Sequence, residues 1–84
     1  MKRFKPNEVY WKNTDETSEE IVFHSMFDDN SAVVISFNNQ EFSMVFVKLE
    51  ELDERPLFQN TITFEDKQSS KEEIKKQTFT HFFA

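Results

Sequence analysis

Eighty-four residues with a formal net charge of −6, eleven phenylalanines, no cysteine and no glycine describe one small domain whose core rests on a few large rings. Without cysteine there are no disulfides, thiolate ligands or thiol nucleophiles, and without glycine the phosphate-cradling loops of nucleotide-binding proteins are excluded. The charge is segregated: Lys2, Arg3, Lys5 and Lys12 against Glu8 make residues 1–12 cationic, whereas residues 13–54 carry eleven acids against Lys48 alone.

The start MKRFKP leads into a polar tract rather than an apolar run, so neither a secretory signal nor a membrane span is expected, and a reducing, cytoplasmic setting fits the lack of cysteine. Residues 1–7 read as a basic arm of the single domain 1–84, ahead of a short strand at Glu8–Lys12 built on Val9, Tyr10 and Trp11. NTDETSEE, Asn13 to Glu20, has no apolar residue and reads as a solvated loop. From Ile21 the period becomes two, with Ile21, Phe23, Ser25 and Phe27 on one parity and Val22, His24 and Met26 on the other.

DDNS then turns this strand into Ala32–Phe37, and NNQE turns that into Phe42–Leu49. With no glycine to supply positive φ, asparagine and aspartate must make these turns. EELDERP is charged and stops at Pro56. Phe58, Ile62 and Phe64 alternate with polar residues as a fourth meander strand would. Ser70-Lys71-Glu72-Glu73 is a capping-box pattern, so a helix begins there. Ile74, Thr78 and Phe82 continue it at helical spacing to about Phe83, while TFTHF would also suit a strand; the helix is preferred.

The fold class expected is therefore α+β: an antiparallel β-meander of four to five strands with one C-terminal α-helix packed on one face. Phe23, Phe27, Phe42, Phe46 and Ile62 are expected beneath the helix. Both parities of VVISFNNQEFSMVFV are apolar, which one solvated face does not explain. Val34, Val45 and Val47 are accordingly candidates for an uncovered face through which two copies associate, giving a homodimer.

His24 and His81 lack the spacing of a metal site, and Ser25, Ser31, Ser36 and Ser43 lack the company of a base, so no metal, cofactor or catalytic residue is expected. The paired acids Glu19-Glu20, Asp28-Asp29, Glu50-Glu51 and Asp53-Glu54 serve either as a solvated face or as a docking surface for a protein partner with a basic surface. Spaced carboxylates can occupy a groove built for phosphates, so the partner expected is a nucleic-acid-binding protein that this chain inhibits or modulates. Lysines near Phe4, Phe79 and Phe82 resemble a nucleic-acid platform, but the net charge opposes direct binding. The function expected is a small acidic, non-enzymatic protein-binding module; the alternative is a structural or assembly homo-oligomer acting through an apolar sheet face.

Overall fold

A computed structural model describes residues 3–83. The chain forms β1 (Val9–Thr14), β2 (Thr17–Met26), β3 (Ser31–Asn38) and β4 (Glu41–Lys48), then a 3-10 turn at Leu49–Glu51, β5 (Leu52–Asp53), β6 (Asn60–Ile62) and the helix α1 (Lys71–Thr78). The sheet order is β4-β3-β2-β1-β5, all antiparallel, and the class is α+β.

The segment read as a solvated loop is instead the first hairpin. Thr14 pairs with Thr17 across Asp15 and Glu16, whose φ values of 46° and 69° make a two-residue turn of the primed type. Asn39 and Gln40, at 51° and 64°, build the β3–β4 turn in the same way, where an asparagine turn is expected. DDNS needs no left-handed residue. Asp28 Oδ1 accepts the amides of Asn30 and Ser31 and the Ser31 hydroxyl, each within 2.8 Å.

Left-handed glutamine is disfavoured because its Cβ crowds the backbone. Gln40→Gly should therefore stabilise the protein by about 0.5–1 kcal/mol, read as a higher urea midpoint at unchanged slope.

The sheet must curl. Laid flat, β4 and β5 would stand four strand spacings apart, about 19 Å, yet the chain from Lys48 to Leu52 spans at most about 14 Å. Curling draws one face inward around Tyr10, Ile21, Phe23, Ala32, Val34, Val47 and Leu52. Phe4 plugs this interior, edge-on to Tyr10 at 4.8 Å and stacked on Phe23 at 5.6 Å, while Tyr10 Oη accepts the Lys5 amide. The described part of the basic arm is thus packed against the fold.

The outer face holds the second core, Val22, Ile35, Phe37, Phe64 and Ile74, with Val9, Phe42 and Phe82 packed against it. α1 lies over it, started by Ser70, whose Oγ accepts the Glu73 amide as the capping pattern requires. The other half of the box is replaced, since Glu73 Oε1 takes Gln77 Nε2. Ile74 and Thr78 are buried at helical spacing, and a π-helical turn, Phe79–Phe83, carries Phe82 onto the core and Phe83 onto His24.

Two expectations about the sheet are corrected. Phe58–Phe64 is not a meander strand: β6 has three residues and runs parallel to β2, pairing Thr17–Glu19 where β3 does not reach. Its approach is fixed by buried Ser18, whose Oγ accepts the amides of Leu57 and Phe58 at 3.1 Å and donates to Asn13 Oδ1. A bulge between Phe23 and Ser25 reverses the parity of β2. Phe23, before the bulge, faces the curled interior with Ile21, whereas Phe27, after it, turns to the outer face and lies 63% exposed; Phe46 and Ile62, also expected beneath the helix, are exposed.

Candidate functional site

Eight acids are candidate contacts, and the fold sorts them into three environments. Glu19 is partly buried and Glu20 fully so, and both are tied up by groups of the fold itself. Glu19 Oε2 lies 2.6 Å from Lys67 Nζ and accepts from the Ser36 hydroxyl. Glu20, on the outer parity of β2 beneath α1, is 1% exposed; its Oε1 accepts the Phe64 amide and its Oε2 stands 3.0 Å from Lys71 Nζ. Glu20 is therefore corrected from a surface contact to a buried anchor, because a carboxylate tolerates such burial only with hydrogen bonds and a counter-charge.

Asp28, Asp29 and Glu50 are brought together. The β2–β3 turn and the end of β4 meet at one end of the curled sheet, joined by the Leu49 amide donating to Asn30 O at 2.9 Å. Between them opens a cleft of about 720 Å³ lined by Phe4, Asp28, Asp29, Lys48, Leu49 and Glu50 among others. The Ser31 hydroxyl, followed by the Asn30 amide, holds the Asp28 carboxyl below the ordinary aspartate value, outweighing the opposing effect of desolvation. Asp28 thus stays ionised to lower pH than a free aspartate. Three acids over an apolar floor of Phe4 and Leu49 can receive an ammonium or guanidinium head with its methylene stem.

The remaining acids lie beside this cleft or away from it. Glu51 Oε1 accepts the Lys48 amide at 3.1 Å, so it caps the strand end. Asp53 sits in β5 opposite Trp11, and its Oδ1 accepts the Arg55 amide. Glu54 borders a separate shallow hollow with Lys5, Glu8 and Tyr10.

The valines named for self-association are placed differently from the expectation. Val34 and Val47 are buried in the curled interior, and Val45 packs against them. Curling covers this face from within the chain. The apolar side chains left in solvent are instead Met26, Phe27, Met44 and Phe46, with Leu57, Ile62 and Phe79 elsewhere. Phe27 and Phe46 touch edge-on at 4.9 Å. Sequence reasoning missed Phe4 as a wall of the cleft and Met44 as part of an exposed row; the signal for Met44 was its shared parity with Phe42 and Phe46.

His24 stacks on Phe83 at 4.6 Å and contacts the Ser25 hydroxyl at 2.8 Å, and His81 lies beside Phe42. Among the described residues no three potential metal ligands gather at one point, and no helix is long and apolar enough to cross a membrane. No family model, curated protein or solved structure matches this chain.

Proposed function

We propose that the chain is a non-enzymatic protein-binding module whose acidic cleft docks on the basic surface of a protein partner. The observation that carries this reading is the convergence of Asp28, Asp29 and Glu50 around Phe4 and Leu49, drawn from three separate stretches of the sequence and gathered at one end of the sheet. All three hydrogen bonds received by Asp28 fall on Oδ1, which leaves Oδ2 for an incoming donor. Surplus negative charge of −6 speeds encounter with a cationic surface and repels nucleic acid itself. A surface of lysines and arginines that otherwise holds phosphates is the partner chemistry that fits, so the module competes with nucleic acid for that surface and inhibits or modulates its owner. Lack of cysteine supports a cytoplasmic site of action.

The test uses an arginine-rich peptide with interspersed leucines, titrated by fluorescence anisotropy at low and high salt. Neutralising the cleft with Asp28→Asn, Asp29→Asn and Glu50→Gln together should weaken binding by roughly tenfold or more, mainly through slower association. Removing the same charge at Glu65, Glu72 and Glu73, which are exposed and away from the cleft, should change it by less than about threefold. Equal effects from the two triples would mean that overall charge, not the cleft, does the binding.

A further inference from the structure

A different surface, meeting the cleft only at Lys48, points to a second interaction. The sheet has one long open edge among the described residues: β4 pairs only with β3 and runs for eight residues, whereas β5 has two and β6 three. Proteins blunt exposed edges with proline, bulges or mid-strand charge. EFSMVFVK has none of these; its only charges, Glu41 and Lys48, stand at its ends and cancel.

The hydrogen-bonding direction along this edge follows from the hairpin. Asn38 and Glu41 flank the two-residue turn and form the first closely bonded pair, so alternation sends the backbone groups of Phe42, Met44, Phe46 and Lys48 away from β3. The Lys48 amide bears this out by donating to Glu51 Oε1 rather than to Ser31 across the ladder. With Lys48 capped, the outward amides left are those of Phe42, Met44 and Phe46, a set symmetric about Met44.

From this symmetry we infer that β4 pairs with β4 of a second copy, antiparallel about a two-fold axis at Met44, to give a homodimer with one continuous sheet. Met44 then faces Met44 of the second copy and Phe42 faces its Phe46, with about six backbone hydrogen bonds across the joint. Glu41 falls opposite Val47 and Lys48 opposite Gln40, so no like charges meet. A two-fold axis normal to the sheet keeps outer side chains outside, so the exposed Met44 and Phe46 rows and the neighbouring Phe27 of both copies merge into one apolar strip.

The second copy suits this edge better than a basic partner because the edge carries no net charge to attract one, while its alternating rows are complementary to themselves. Phe27, Met44 and Phe46 are 63%, 50% and 65% exposed. With the backbone edge they offer several hundred Å² per protomer, toward the low end of the range around 800 Å² that stable pairs bury. An interface of this size suits a reversible dimer.

Sedimentation equilibrium of the full chain from about 1 to 200 μM should show monomer and dimer. Met44→Pro deletes one outward amide while leaving the β3 ladder intact, and Met44→Lys sets two ammonium groups face to face. Each should weaken dimerisation at least tenfold with an unchanged circular dichroism spectrum. Hydrogen exchange supplies a check that needs no variant: the amides of Phe42, Met44 and Phe46 should slow as concentration rises, while those of Ser43, Val45 and Val47, bonded to β3, stay protected throughout. A monomer at every concentration, or a dimer whose Phe42, Met44 and Phe46 amides exchange freely, overturns the inference.

Discussion

Phe64→Ala should cost about 3–5 kcal/mol and leave the protein largely unfolded at 37 °C, or lower its melting temperature by at least about 12 °C if enough stability remains to measure. Phe64 is fully buried between the outer sheet face and α1, against Val22, Ile35, Phe37 and Ile74. It also organises the turn into the helix: its amide donates to Glu20, and its carbonyl accepts from Lys67 and Ser69. Truncation removes the one phenylalanine of that core with no exposure at all and leaves a cavity that the turn, tied by its backbone, cannot close. A domain of this length has only about 4–13 kcal/mol of total stability. Calorimetry showing a loss below about 1 kcal/mol would mean that the helix is not seated on Phe64 as described.

Glu20→Ala should cost about 2–4 kcal/mol, since it strands the buried Phe64 amide without an acceptor and opens a void beneath α1. The companion variant Glu20→Gln keeps an oxygen for that amide and should recover a good part of the loss, although Lys71 no longer meets a charge. Lys71 itself is more than half exposed, so Lys71→Ala should cost less than Glu20→Ala. Urea unfolding followed by the fluorescence of the single tryptophan, Trp11, which pairs with Glu20 across β1 and β2, reads all three. If Glu20→Ala proves as stable as the parent, Glu20 does not anchor the loop and belongs back among the surface acids.

Several elements were legible because each has a local cause. Period-two runs marked β3 and β4, Asn39 marked a turn that needs positive φ, and Ser70 followed by Glu73 marked the start of α1. What stayed hidden depends on partners distant in the chain. The Thr14–Thr17 hairpin has no apolar alternation because its strands bury Ser18 and Glu20 on the outer face, satisfied by Asn13, Leu57, Phe58, Phe64 and Lys71. One inserted residue in β2 reversed the facing of everything after Phe23, so parity counted from Ile21 put Phe23 and Phe27 on one face, although Phe23 faces the interior and Phe27 the outer side. The two apolar faces of the meander were visible in the sequence. That a three-residue turn from β4 to β5 would curl one of them closed was not.

The candidate site was legible in part for the same reason. Asp28, Asp29 and Glu50 are visible as acids, but their convergence depends on the Asn30–Leu49 contact, and nothing local separates them from Glu20, which is buried.

The most direct measurement of the docking claim is a two-dimensional NMR titration of the isotope-labelled chain with the arginine-rich peptide. Amide shifts should concentrate at Phe4, Asp28 to Ser31 and Lys48 to Glu51, saturate together, and shrink as salt rises and the Debye length falls below about 8 Å. Shifts spread evenly over all exposed carboxylates, including Glu65, Glu72 and Glu73, would contradict a dedicated acidic cleft.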